Sequence, residues 1–278
     1  MKKTEWLRLS VNSSWRNDMN EPFFSVIVVS LNAGKLIDST IRSTLEQTDG
    51  DFEIIVKDGQ SKDDTLSYVP QDSRIKVYSE PDVSLYDAMN QGIDHSTGRY
   101  LIFMNCGDVF ASPDVLAKTR EAIADGEYGM VYGDYSRDDI VRSQPKNLTW
   151  FYMFRTPLCH QSIFFNGDTL RAGLKYEIKY KILADYNMEL YLCRRSKCLH
   201  VDTVVCVYLG GGISETKEGL AIKRNDRRGI IRSNYTPLER FGYNLRWRLT
   251  LPTLRGLISG NKGMSRFYYS VVNRINGR

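Results

Sequence analysis

The chain has 278 residues, of which 42% are hydrophobic and 26% charged, and a formal net charge of +5. That length holds one large domain with a sizeable core, and the composition excludes collagen-like, disordered and disulfide-dense proteins. No run reaches the roughly 18–20 apolar residues of a membrane-spanning helix, and the opening MKKTEWLRLS lacks the apolar stretch of a secretory signal.

Residues 1–22 read as a leader without a signal peptide. FFSVIVVSLN (23–32) is a short apolar, β-rich run ending in polar residues, the pattern of a buried strand. AGKLIDSTIRSTLEQT (33–48) sets Leu36, Ile37, Ile41 and Leu45 at helical spacing. FEIIVKDGQSKDDT (52–65) reads as a second buried strand, with Asp63 and Asp64 expected to cap the short helix that follows. RIKVYSE (74–80) supplies a third strand. SLYDAMNQGIDHST (84–97) reads as a helix with Leu85, Met89 and Ile93 on one face, closed by Gly98. A strand over 100–104 then runs into Asn105-Cys106-Gly107-Asp108.

Alternating strands and helices imply a parallel sheet covered on both faces, an α/β fold. Ligands of open α/β sheets bind beyond the carboxyl ends of the strands, where Asn32, Asp58 and Asp108 all fall. Carboxylates at strand ends are also ordinary turn residues, so this convergence alone leaves a structural reading open.

Further on, SPDVLAKTREAIADG (112–126) predicts a helix with Ser112 as N-cap and Pro113 in its first position. Strands are expected over 128–136 and 160–166, the latter opened by His160-Gln161, and a loop and helix over 179–196 with Asp185 near the helix start. The five cysteines are odd in number and lack zinc-ligand spacing, which suits reduced thiols. Cys193, Cys198 and His200 lie close in sequence, but no second ligand pair follows. The chain divides into a main domain over 23–222 and a basic extension over 223–278. From Lys223 onward, 13 Lys and Arg face two carboxylates, Asp226 and Glu239, and Phe241, Tyr243, Trp247 and Leu249 are interleaved with the basic residues. Such a segment suits a membrane surface or nucleic acid; a helical cap with solvated arginines is the plainer alternative.

SVIVVSLNAG, FEIIVKDGQSKDDT and GRYLIFMNCGD resemble the opening strand, the nucleotide-binding strand and the metal-site strand of glycosyltransferase family 2. With SEPDVSLYDAMNQGI, HQSIFF, ADYNM and GGGIS added in order, the likeness is closest to the bacterial exopolysaccharide and O-antigen branch typified by the colanic-acid glycosyltransferases. It covers roughly residues 24–215. The resemblance implies a GT-A fold, a mostly parallel central sheet flanked by helices, here with a basic, partly helical C-terminal extension. It also implies a nucleotide-diphosphate-sugar donor, Mn2+ or Mg2+, and inverting transfer to an acceptor hydroxyl. Such chemistry needs charge stabilisation at the departing diphosphate and a base at the attacking hydroxyl.

The same resemblance implies residue roles. Asp108 is the metal carboxylate, where the family usually has two or three aspartates and this chain has Asn105, Cys106 and Gly107 before it. Asp58 accepts a hydrogen bond from the nucleotide base, and Ser30 and Asn32 line the nucleotide pocket around Leu31, where many members carry Tyr. Tyr86, Asp87, Asn90 and Asn105 face the donor. His160 and Gln161 contact diphosphate or acceptor. Asp185 is the catalytic base, preceded by Ala184 where Glu is frequent. The competing structural readings are a helix N-cap for Asp185, a packed histidine for His160 and solvated helix positions for Tyr86, Asp87 and Asn90.

The implied acceptor is a lipid-linked saccharide on polyprenyl diphosphate, in surface polysaccharide synthesis, met at the cytoplasmic face of the inner membrane. No nucleic-acid partner is expected. The alternative is a nucleotide-sugar-binding module without turnover. A nucleotidyltransferase is disfavoured, because SLNAGK is too short and too poor in glycine for a phosphate loop.

Overall fold

A computed structural model describes residues 21–211 and 215–249. The leader (1–20), the end of the GGGIS motif (212–214) and the tail beyond 249, with the side chains of Arg248 and Leu249, lie outside the described residues.

Strands β1 (Phe24–Ser30) and β2 (Phe52–Asp58) are buried at every position, as strands in the middle of a parallel sheet must be, with Ser25, Glu53 and Lys57 buried among their apolar residues. β1 pairs in parallel with β2 and with β4 (Tyr100–Asn105), and β2 with β3 (Ile75–Ser79). Register sets Ser30 beside Asp58 and Val29 beside Asn105, so three candidate positions reach one sheet end together. Beyond β4 the sheet turns mixed: β8 (Ile163–Asn166) joins antiparallel to both β4 and β6 (Met130–Arg137). β9 (Cys198–Val207) runs parallel to β6, and the short β5 (Val109–Phe110) pairs antiparallel with β9. β7 (Ile140–Arg142) folds back on β6 through Asp138 and Asp139, both at positive φ (52° and 57°), as a tight hairpin demands.

Side chains alternate between two cores. Ile27, Ile55 and Phe103 face α2 (Leu85–His95) and α6 (Ala184–Arg195), while Val26, Val28, Ile54 and Ile102 face α1 (Leu36–Leu45) and α3 (Val115–Ile123). The remaining helices are α4 (Trp150–Arg155), α5 (Gly167–Arg171), α7 (Lys217–Asn234) and α8 (Pro237–Leu249). No helix among the described residues is long and apolar enough to cross a membrane, and the five cysteines are free thiols.

Four local expectations are revised. α2 ends at His95, and Gly98 instead permits close approach, since a Cβ there would sit 2.6 Å from the Ser25 backbone nitrogen. α3 starts at Val115; the Ser112 hydroxyl donates to Asp114 at 2.5 Å rather than capping the helix. His160 and Gln161 occupy a 3-10 turn (His160–Ser162) ahead of β8. The expected boundary at 222/223 falls inside α7, which is anchored to the main body: Asp226 is buried and Ile230 joins the core. In α8, Tyr243 packs inward against Phe151 and Phe154, whereas Phe241 is 68% exposed.

Candidate active site

The ends of β1 and β2 are tied by polar contacts. Asp58 is fully buried and accepts from the hydroxyls of Ser61 (2.5 Å), Ser79 (3.0 Å) and Ser30 (3.1 Å) and from the Ser61 N–H (2.9 Å). Burial pushes its carboxyl up, but these donors together hold it below the usual carboxylate value. Asn32, at φ 50°, donates its N–H to Ser61 Oγ (2.8 Å) and accepts the Lys62 N–H on Oδ1 (2.8 Å). Ser30, Asn32 and Asp58 therefore form one network. Asp63 accepts from the Gly34 N–H at 3.0 Å and from Thr65, pinning the turn after β1 to the turn after β2. Asp64 precedes the short 3-10 helix Thr65–Tyr68 without a side-chain cap bond.

At the end of β4 the backbone turns through Gly107, whose φ of +98° suits glycine. The turn closes with the Asp108 N–H on the Asn105 carbonyl (3.0 Å). Asp108 is 2% exposed, and its Oδ1 accepts the Leu209 N–H at 2.8 Å. Its Oδ2 and the Oδ1 of Asn105 are both buried without a hydrogen-bond partner among the described residues. Burial pushes the Asp108 carboxyl up to about 6, opposed by the Leu209 N–H and by a looser approach of Gln161. Two orphaned oxygens at one strand end fit a divalent cation that takes its other ligands from a diphosphate. Among the described residues no group of three His, Cys, Asp or Glu could hold a metal alone.

A cleft of about 1360 Å³ opens beside this strand end and brings Tyr86, Asn105, His160, Gln161 and Asp185 together on its walls. Ser30, Asn32, Asp58, Asp87, Asn90 and Asp108 do not line it. Asp185 sits half-buried in the first turn of α6, where Oδ1 accepts the Tyr86 hydroxyl (3.0 Å) and the Tyr186 N–H (2.8 Å). Both bonds use one oxygen, so the other is uncommitted among the described residues. The N-cap position belongs to Leu183, so Asp185 is not the helix cap. From α7, Asp226 Oδ2 accepts the N–H groups of Ile182 (2.8 Å) and Leu183 (3.3 Å) and holds the start of α6 in place. The Tyr86 hydroxyl also reaches the Ile182 carbonyl at 2.6 Å; burial and then the Asp185 charge push that phenol well above its ordinary value, so it stays a donor.

The other α2 positions have structural partners. Asp87 accepts the N–H of Val83 (3.0 Å), while the Ser84 hydroxyl accepts the Asp87 N–H, a reciprocal cap of the helix start. Asn90 clamps the Tyr176 backbone from both sides, at 3.0 and 2.8 Å. His160 Nε2 meets the Tyr176 hydroxyl at 2.8 Å and packs on Phe103; burial lowers its pKa, which favours the neutral ring. Gln161 accepts the Cys159 thiol at 3.5 Å.

Sequence reading missed Glu189, one turn beyond Asp185. It is fully buried, Oε2 accepts the Leu158 N–H at 3.0 Å, and Oε1 has no partner among the described residues. Burial, reinforced by the Asp185 charge, pushes this carboxyl well above its usual range. The four-residue spacing in ADYNMEL was the available signal.

Comparison with known proteins identifies the family and the fold. The model of the family "Glycosyl transferase family 2" matches residues 25–176. A "PGL/p-HBAD biosynthesis glycosyltransferase" of Mycobacterium bovis is 32% identical over 215 residues, covering 71% of this chain and 81% of the relative. The Staphylococcus aureus TarS 1–349 structure with UDP-GlcNAc superposes with a TM-score of 0.61 at 15% identity, over 77% of this chain and 68% of that one. The mannosyltransferase PcManGT of Pyrobaculum calidifontis, with GDP-Man and Mn2+, gives 0.56 at 20% identity, over 81% of this chain and 65% of that one.

Proposed function

The chain belongs to glycosyl transferase family 2, and from that premise we propose that it moves a sugar from a nucleotide-diphosphate sugar to an acceptor hydroxyl with inversion. The observation that carries this reading is Asp185: a carboxylate on the cleft wall, clamped through one oxygen by Tyr86 and Tyr186, with its second oxygen uncommitted. The acceptor hydroxyl gives its proton to Asp185 as its oxygen bonds to the anomeric carbon. The bond from that carbon to the diphosphate breaks on the opposite face, and the nucleoside diphosphate leaves. One base and one displacement invert the anomeric centre.

The donor lies across the ends of β1, β2 and β4. There Ser30, Asn32 and Asp58 order the nucleotide-side turns, and Asn105 and Asp108 offer unpartnered oxygens near the diphosphate. A bound Mn2+ or Mg2+ would neutralise charge on the leaving diphosphate. Asn105 and Asp108 are the residues that would hold it. His160 and Gln161 border the acceptor side.

The acceptor in this reading is a saccharide on a polyprenyl diphosphate, used for bacterial surface polysaccharide, with the enzyme resting on the cytoplasmic face of the inner membrane. The basic, aromatic C-terminal region supports it, as does a mycobacterial relative whose name refers to PGL/p-HBAD biosynthesis. The test is Asp185→Asn. Transfer from a panel of UDP-, GDP- and dTDP-sugars should be abolished while nucleoside-diphosphate binding stays within a few-fold, and a near-normal kcat would remove Asp185 from the mechanism.

A further inference from the structure

The charge on the cleft wall is unevenly distributed. The lining residues before position 111, Leu85, Tyr86, Met89 and Asn105, are uncharged. Every lining cation comes from residue 137 onward, seven against the two carboxylates Asp185 and Glu215. Four of the seven have structural employment. Arg137 pairs with Glu215 at 2.6 Å, Lys146 with Asp202 at 3.0 Å, and Arg227 donates to the carbonyls of Phe154 and Arg155 at 2.6 and 2.9 Å; Arg155 is itself partnered. Arg142, Lys181 and Lys223 have no ion pair within 4.0 Å among the described residues, Glu215 reaching Lys223 only through a longer-range attraction and being already paired with Arg137, and they come from three separate elements: β7, the loop before α6, and α7. Cations gathered from distant parts of the chain repel one another unless an anion sits among them.

We infer that Arg142, Lys181 and Lys223 form a binding site for a phosphate or diphosphate group on the acceptor, separate from the place where the donor's own diphosphate lies. The donor diphosphate belongs at the ends of β1 and β4, and that half of the molecule adds no cation to the cleft wall. The hairpin that carries Arg142 adds a second feature. Ile140 and Val141 precede it and are each 53% exposed, and Val141 also lines the cleft. Apolar side chains next to a free guanidinium match an anionic group joined to a hydrocarbon chain, as in an isoprenoid diphosphate. This inference rests on the transferase reading for the word acceptor, while the anion site stands on the charge distribution.

The test is a calorimetric titration of inorganic pyrophosphate in EDTA, which removes metal-assisted binding at the donor end. The full chain should bind, and Arg142→Gln/Lys181→Gln/Lys223→Gln should bind at least tenfold more weakly. A variant with the same charge change outside the cleft, Arg42→Gln/Lys118→Gln/Lys197→Gln, should bind within about twofold of the parent, since surface charges there are screened. Should the triple variant not fold, Arg142→Gln alone, on an exposed hairpin, should weaken binding about threefold. Farnesyl diphosphate gives the second arm: tighter binding than pyrophosphate assigns the anion to a lipid carrier, equal binding assigns it to the phosphates alone, and both uphold the site. Absence of pyrophosphate binding by the parent, or equal losses in the two triple variants, overturns it. No step of this experiment needs turnover, so its failure is distinct from failure of the Asp185→Asn assay.

Discussion

The Tyr86 hydroxyl donates to Asp185 Oδ1 at 3.0 Å, joining α2 to the first turn of α6 across 99 residues of sequence. The family resemblance implied a donor-facing role for Tyr86. In the structure its hydroxyl contacts the Asp185 carboxylate on the cleft wall. Tyr86→Phe keeps the ring in its buried place and deletes the donor. We expect kcat to fall roughly tenfold with donor KM little changed, and stability to drop by about 1 kcal/mol. Steady-state kinetics beside urea unfolding checks both; a raised donor KM at constant kcat would return Tyr86 to the donor side.

Asp58→Ala should fail in a different way. The aspartate accepts from three serine hydroxyls and one backbone N–H, so its removal leaves several donors without their acceptor. A stability loss of about 2–3 kcal/mol is expected, together with weaker nucleotide binding as the loop over 59–61 loosens. Intact stability with lost nucleotide affinity would mean that the carboxylate serves the base alone.

Asp108 gives the metal-free protein a pH signature. Its folded value of about 6 lies above the ordinary 3.8, so the folded chain holds this proton more tightly than the unfolded chain. The contribution to stability is therefore greatest below about pH 4 and declines as the pH rises to about 6. Two pH units correspond to roughly 3 kcal/mol. Asp108→Asn should remove this slope and raise stability at pH 7 by up to that amount, while blunting any response of kcat to Mn2+ or Mg2+. Urea midpoints between pH 4 and 8 decide it; an unchanged slope in the variant assigns the titration elsewhere.

Burial and then the nearby Asp185 charge raise the pKa of Glu189, which favours its neutral acid form. Its stabilising contribution is present at low pH and is lost as the pH climbs through the raised value. Glu189→Gln, the shape of the protonated form, should cost little at pH 7 and be relatively favoured at pH 9. Glu189→Ala opens a cavity and strands the Leu158 N–H, a loss of about 2–4 kcal/mol. If Gln is as damaging as Ala at pH 7, the carboxyl is ionised there.

α8 presents Leu238 (80% exposed), Phe241 (68%) and Leu245 (48%) at helical spacing, on a segment rich in arginine. Full-length protein should sediment with vesicles rich in anionic lipid at low salt and be partly released at high salt, each basic residue contributing up to about 1 kcal/mol. Leu238→Ser/Phe241→Ser should lower the bound fraction severalfold. Binding that ignores both salt and these substitutions would point to another surface.

The strand ends were legible in sequence because β1, β2 and β4 are largely apolar runs bounded by polar turns, and parallel pairing carries their ends to one place. Asp185 was singled out by its motif context, and the structure sets it on the cleft wall. β9 was not, because CLHVDTVVCV mixes cysteine, histidine and aspartate with its valines and draws attention to metal chemistry. The roles of Asp87, Asn90 and Glu189 were equally hidden. Asn90 and Glu189 bind backbone groups at Tyr176 and Leu158, whose positions depend on tertiary packing, while Asp87 is taken up by the cap of its own helix through the Val83 N–H. The extension beyond 222 looked separable by charge, yet charge says nothing of the inward face that carries Asp226 and Ile230.

Asp226 accepts the Ile182 and Leu183 N–H groups just ahead of Asp185. During synthesis from the N-terminus, the nucleotide-side strands leave the ribosome first and can pair at once. The anchor of the segment ahead of Asp185 cannot close until α7 has also emerged, more than forty residues after Asp185 itself. A nascent chain is thus able to order the turns after β1 and β2 well before the segment that carries Asp185 is held in place.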